Sequence, residues 1–357
     1  MILGENMDDR DFNKQNSLSN CSFVKTILMI LIILYHSCVY WTGTWFDRAP
    51  VYDSQALSIF AKWLNSFHIY AFVLVSGYVF AFKINKGYYN SFVPFIRTKV
   101  KRLLVPYVFL MAVWVAPISA FLLNWDKLYL FEKYILCIEP SQLWFLWMLF
   151  GVFLIIWPIR KLMIEKPLVG CLIALFFYCF GIMIKRFIPN VFCIWTAFQY
   201  IPFFFIGMEI RVKQEKGEKR ITEFVSWIVW VAVDLIIFAS MMVIGQRSGT
   251  VWNLMTMGLN LLLHIVGAIM TWSVLQMIAG KVKWKENRAF KIMSAYSMPM
   301  YLFHQQIIYF VIYWLNGKIN PWINAGINFV IAVAGSFMIS ALLMRWRVTR
   351  ILIGEKP

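Results

Sequence analysis

Long apolar runs alternate along this chain with short polar connections, and the runs fall near 23–41, 67–83, 104–123, 143–159, 168–185, 190–210, 224–245, 254–279, 297–315 and 322–344. Each approaches the ~20 residues that a helix needs to cross the hydrocarbon of a bilayer. The pattern predicts an all-α, polytopic membrane protein with about ten transmembrane helices. A polar segment over 1–22 and a basic tail over 345–357 flank one membrane domain over 23–344. No internal repeat and no low-complexity tract interrupts it.

Composition supports lipid as the solvent. The 357 residues are 61% hydrophobic and 14% charged, against roughly 45–50% and 25% in soluble domains. Segment 1–22, MILGENMDDRDFNKQNSLSNCS, has neither the basic start nor the short apolar region and small-residue cleavage site of a secretory signal. The first apolar run is therefore expected to remain a membrane helix. The six cysteines (21, 38, 137, 171, 179 and 193) form no CxxC pair and lie mostly inside apolar runs. They read as small buried apolar residues, and no metal site is expected.

Net charge is +17, and its distribution predicts topology, because Lys- and Arg-rich loops stay in the cytoplasm. Lys83, Lys86, Arg97, Lys99, Lys101 and Arg102 crowd the connection between the second and third runs. Similar clusters follow the sixth run, the eighth run and the last. Of the 34 Lys and Arg, 26 fall on one side and 8 on the other. Both termini are expected in the cytoplasm. The charge then reflects topology and anionic headgroups, not nucleic acid.

The first run contains the least expected pattern, KTILMILIILYH over 25–36. Lys25 and His36 are eleven positions apart, which is close to three helical turns, so both lie on one face with roughly 16 Å of rise between them. Lys25 can snorkel at the inner rim, whereas His36 lies beyond the middle of the bilayer. An imidazole there must be hydrogen-bonded or face a wet cavity. Two readings stand: a neutral imidazole serving as general base, or a histidine bonded to a neighbouring helix.

This pair, with several further segments in order, resembles the integral-membrane acyltransferase-3 family. FHIYAFVLVSGYVF (67–80) is similar to that family's second span, through Ser76, Gly77 and Tyr78. FIRTKVKRLLVPY (95–107) is similar to its basic Arg-x-x-Arg segment with a following Pro-aromatic. LWFLWMLF (143–150), IPFFFIGMEI (201–210) and SMPMYLFHQQII (297–308) resemble its fourth-span, sixth-span and late Tyr-Leu-x-His segments. Four positions depart from the pattern. Lys25 stands for Arg, Ser22 for a common Asp, Lys99 for the first Arg of the pair, and Tyr70 for a usual Pro. A lysine is a point charge and cannot grip a phosphate bidentately as arginine does.

The resemblance implies a bacterial inner-membrane O-acyltransferase that moves an acyl group, commonly acetyl, from cytosolic acyl-coenzyme A to a hydroxyl of a lipid-linked or cell-surface carbohydrate. Acyl-coenzyme A is then a donor substrate, with no bound cofactor, and membrane lipids are the other expected partners. His36 is implied as base or transient acyl carrier. Lys25, Arg97, Lys99, Lys101 and Arg102 are implied as the donor's phosphate contacts, although from the residues alone positive-inside anchoring is the favoured reading of the last four. No hydrolase-like extra domain is expected, so any acyl relay is completed within this module.

Supporting candidates are Ser76, Trp144, Asp234, Tyr301 and His304. Asp234 is an acid deep in the seventh run, where a carboxylate is costly, but no partner can be named. His304, about two turns from the inner end of its run, suits a structural or donor-binding role. On the acceptor side, Asp47, Arg48 and Asp53 in the first loop suit sugar hydroxyls, and His68 at the mouth of the second run reads equally as lining the acceptor entrance or as a wet interfacial histidine. His264 reads as a helix-packing group, and nothing shows a base that would activate Ser37 or Ser76. The competing class is a transporter or exporter of a polysaccharide or its precursor. Such proteins commonly show repeated halves or paired broken helices, and neither is found.

Overall fold

The computed structural model describes residues 9–356 apart from 44, 46, 47, 90, 124, 125, 220, 221, 223 and 224, with side chains from Asn20 onward. It is all-helical, with 82% helix and no strand among the described residues. The elements are α1 (Asp9–Cys38), α2 (Gln55–Asn65), α3 (His68–Asn85), a continuous α4 (Phe92–Leu123), α5 (Lys127–Tyr134), α6 (Trp144–Glu165) and α7 (Pro167–Ile184). They continue with α8 (Ile194–Lys216), α9 (Trp227–Ile244), α10 (Thr250–Lys281), α11 (Arg288–Ala295), α12 (Ser297–Leu315), α13 (Pro321–Leu343) and α14 (Arg347–Leu352).

Among the described residues, nine helices are long and apolar enough to cross a membrane. The other expected span is also helical: α12 has 19 residues, and it falls short only because it carries His304, Gln305 and Gln306. Their burial explains the difference. All three are at most 2% exposed, and α12 packs against α1 and α13. A helix enclosed by other helices does not need a lipid-compatible surface. The peripheral helices show the converse, since only 11% of the α9 window is buried inside the protein against 67% for α6.

Local sequence sets the boundaries. Ser54 caps α2 by accepting from the Leu57 amide, Asp126 caps α5 from Tyr129, and Asn320 caps α13 from Trp322. Gly217, at φ 73°, ends α8 in the left-handed conformation. In α4, Pro106 and Pro117 each lack an amide donor, and π-helical turns at Val100–Leu104 and Met111–Val115 come just before them. The wider turns absorb the misfit and rotate the basic segment relative to the rest of the helix. Glycine brings α3 and α8 into contact. A Cβ on Gly77 would lie 1.9 Å from the Phe204 carbonyl oxygen, and one on Gly207 would lie 1.9 Å from that of Leu74. Such small-residue contacts let membrane helices pack backbone to backbone.

Candidate active site between two chambers

One face of α1 organises the site. Lys25, Met29 and Ile32 line an inner cavity with about 960 Å³ of free space, open to solvent, and His36, one turn further on, lines an outer chamber with about 1100 Å³. The helical spacing of these four side chains runs them along one stripe. Tyr301 of α12 lines both spaces, so it forms part of the partition between them.

The inner cavity gathers cations. Lys25, Lys83, Lys99 and Arg102 line it, and no carboxylate does among the described residues. Its other walls are mostly apolar, with Phe72, Phe80, Phe145 and Phe153 among them. The Lys99 ammonium lies 3.6 Å from the Phe153 ring centroid and 5.3 Å from that of Phe95, a cation–π arrangement that holds the charge without neutralising it. Four basic side chains above an aromatic floor have the chemistry to hold a multiply charged anion joined to something less polar. Ser76 also lines this cavity, yet its hydroxyl donates to the Phe72 carbonyl at 3.0 Å. Ser37 donates likewise to Ile33 at 2.8 Å, so each hydroxyl is occupied within its own helix.

In the partition, two histidines form a directed chain. His304 Nδ1 donates to the Tyr301 carbonyl at 2.6 Å, which leaves its Nε2 as an acceptor. That Nε2 lies 3.0 Å from His36 Nδ1, which also lies 3.0 Å from the Ile32 carbonyl. Both neighbours can only accept, so His36 carries its proton on Nδ1 and keeps a lone pair on Nε2. Tyr301 donates its hydroxyl to the Gln142 carbonyl, and Gln142 in turn donates to Leu302 O at 3.1 Å. These bonds tie the start of α6 to α12 and fix the dyad's depth.

The outer chamber is polar. Asn65, His68, Gln142, Trp144, Gln305 and Tyr309 line it with His36. His68 donates from Nδ1 to Leu64 O at 2.5 Å, while its buried Nε2 has no hydrogen-bond partner among the described residues. Tyr35 lies between the two imidazoles, with centroids 4.9 Å from His36 and 4.7 Å from His68. The loop before α6 supplies another wall through Glu139 and Ser141. Cys137, Glu139 and Ser141 there have φ of 56°, 55° and 45°, a run of left-handed residues whose strain the surrounding bonds must hold. One such bond is the ion pair of Glu139 with Lys185 Nζ at 2.7 Å, which holds the Glu139 carboxyl below its usual range.

Several expected residues thus converge: Lys25, Ser76, Lys99, Arg102 and Tyr301 at the inner cavity, and His36, His68, Trp144 and Tyr301 at the outer. Others do not. Arg97 and Lys101 are exposed and line neither space, because they occupy the opposite face of α4 from Lys99. Asp234 is fully buried but remote, accepting from Trp63 Nε1 at 3.0 Å; it lines none of the cavities described. Arg48 lies over Tyr313 at 4.6 Å, Asp53 is exposed in its loop, and Asp47 lies outside the described residues. His264 does pack helices, through Nδ1 to Ser66 O at 2.8 Å. Sequence reasoning did not single out Lys83, Gln142, Gln305 and Gln306. The consecutive glutamines within an apolar run were the available signal for the last two, since polar groups at that depth need a use.

The fold is a polytopic helical bundle, with a histidine dyad at the edge of a polar outer chamber and a cation-lined cavity one helical turn further in. The sequence profile of the acyltransferase-3 family, an acyltransferase domain, matches residues 21–345. The chain belongs to that family and is a multi-pass membrane acyltransferase. Neither the curated proteins nor the solved structures contain a match.

Proposed function

We propose that this acyltransferase takes an acyl group, acetyl in the usual case, from cytosolic acyl-coenzyme A and transfers it to a hydroxyl of a lipid-linked or cell-surface carbohydrate. The observation that carries the reading is that His36 lines a chamber of amides, imidazoles and aromatic rings one helical turn from Ile32, which lines a cavity with four cations. Coenzyme A is made inside the cell and carries several phosphate charges, which suits Lys25, Lys83, Lys99 and Arg102. The Lys and Arg distribution favours the cytoplasm for that side and for both termini, in a bacterial inner membrane.

In this scheme the acceptor hydroxyl gives its proton to His36 Nε2 as its oxygen attacks the thioester carbonyl. The tetrahedral intermediate collapses, the carbon–sulfur bond breaks, and the imidazolium returns the proton to the departing thiolate. His304 holds the Nδ1 proton in place and offsets part of the charge that builds on the His36 ring. The products are an O-acyl ester and coenzyme A, with no net change in protons.

The test is release of free coenzyme A thiol by purified protein given acetyl-coenzyme A, read together with mass spectrometry of the host's envelope glycans with and without the protein. Acceptor-dependent release that disappears in His36→Ala, with normal membrane insertion, is the expected result. Thiol release without any change in surface glycans would move the acceptor to a cytosolic small molecule. Turnover retained in His36→Ala would remove the imidazole from the chemistry.

A further inference from the structure

A third space, about 760 Å³, opens between α3, α7, α8 and α10. Its lining is polar despite its position among membrane spans. Gln199 in α8 and Asn260 in α10 are half-buried there, and neither side chain has a hydrogen-bond partner among the described residues. Amides at this depth are costly unless something answers them. One wall is aromatic: Tyr70 stacks on His264 at 3.9 Å and 16° and on Tyr200 at 5.0 Å and 12°. The lining cation, Lys185, is already paired with Glu139 at 2.7 Å. What remains is a neutral set of amides and phenols beside the His264–Tyr70–Tyr200 stack, a hydrogen-bonding and aromatic lining that suits a sugar's hydroxyls and C–H groups.

This space adjoins the outer chamber at two places. Trp144 lines the outer chamber and Tyr200 the third space, with ring centroids 5.8 Å apart. Glu139 lines the outer chamber and Lys185 the third space, joined by their ion pair. From this juxtaposition, and resting on the carbohydrate reading above, we infer that the acceptor is a glycan of at least two sugar units. The unit that is acylated occupies the outer chamber beside His36, and its neighbour occupies the space between Gln199, Asn260 and the Tyr70–Tyr200 stack.

The experiment compares methyl glycosides of glucose, galactose, rhamnose and N-acetylglucosamine with the matching disaccharides. Purified full-length protein is given radiolabelled acetyl-coenzyme A, and direct sugar binding is measured in parallel. Disaccharides are expected to exceed monosaccharides at least ten-fold in kcat/KM. Asn260→Ala and Gln199→Ala should each remove about ten-fold from the disaccharide value, as loss of one or two buried hydrogen bonds does, and leave the monosaccharide value unchanged. Transfer without a length preference, or a preference that both variants keep, overturns the inference while sparing the proposed function. If no free sugar of either length is acylated, the carbohydrate reading is decided by the glycan mass spectrometry above. In that case disaccharide binding lost in Asn260→Ala still sustains the third space as a sugar site, and absence of such binding overturns it.

Discussion

Replacing Lys99 with methionine separates a residue kept for binding from one kept for stability, because the two roles predict opposite signs. Methionine preserves the unbranched stem on the Phe95 and Phe153 faces and removes only the charge. Losing the ammonium over Phe153, 3.6 Å from its centroid, costs the empty protein roughly 0.5–2 kcal/mol of cation–π attraction. Against this, Lys99 shares one cavity with Lys25, Lys83 and Arg102 and no lining carboxylate. For like charges on the order of 10 Å apart at an effective dielectric of about 20, each pair repels by roughly 1.7 kcal/mol. Three such pairs outweigh the cation–π term, so the variant should be as stable as the parent or more so. Donor binding should move the other way. One charge-assisted phosphate contact contributes about 1.5–3 kcal/mol, which raises the KM for acetyl-coenzyme A about ten- to hundred-fold. Thermal unfolding in detergent and donor-dependent thiol release, measured at two salt concentrations, read both effects. A lower Tm with unchanged donor KM would show that Lys99 braces the bundle and would refute the assignment of the inner cavity to an anion.

His304→Leu removes the acceptor for His36 Nδ1–H but leaves Ile32 O at 3.0 Å, so kcat should fall about ten-fold, one hydrogen bond's worth. The larger loss, roughly 10²–10⁴-fold, is expected for His36→Ala. His304→Gln, which restores an acceptor, should recover most of the rate, and nitrogen NMR of labelled His36 should show the Nδ1–H tautomer in parent and both variants, with the Nδ1 shift moved in the Leu variant alone. Gly77→Ala drives a Cβ to 1.9 Å from a backbone oxygen and should destabilise by about 1–3 kcal/mol or more, whereas Gly258→Ala and Gly326→Ala, with nothing within 4 Å, should not; thermal scanning of the three checks this. The Glu139 carboxyl is held below its ordinary 4.5 chiefly by the hydrogen bond from Lys185. Its contribution to stability is therefore complete above that value and is lost as pH falls through the lower folded-state one. Lys185→Met should abolish this component of the acid-unfolding profile.

Apolar run length made the helices legible, because the bilayer sets one length for every crossing and the chain must supply it locally. The same local logic placed Lys25 and His36 on one face of α1. It also grouped Arg97 and Lys101 with Lys99 and Arg102, as neighbours in sequence; a π turn and the helical twist send the first two outward. Lys83, counted only as a topological charge, belongs beside Lys99, since α3 and α4 converge at that end of the bundle. Asp234 drew attention as an intramembrane acid, yet its partner is Trp63, 171 positions away, and no local pattern joins them.

By itself, then, the order of apolar and basic residues determined an all-helical membrane protein and the stripe that carries a lysine and a histidine. Only the packing of α12 against α1 decided that His304, 268 positions distant, should hold His36 and that separate spaces should open on either side. Helix formation and membrane partition are satisfied within one segment, whereas a cavity is the gap left among several. Its lining depends on how glycine contacts, prolines and π turns set each helix's rotation and distance from its neighbours.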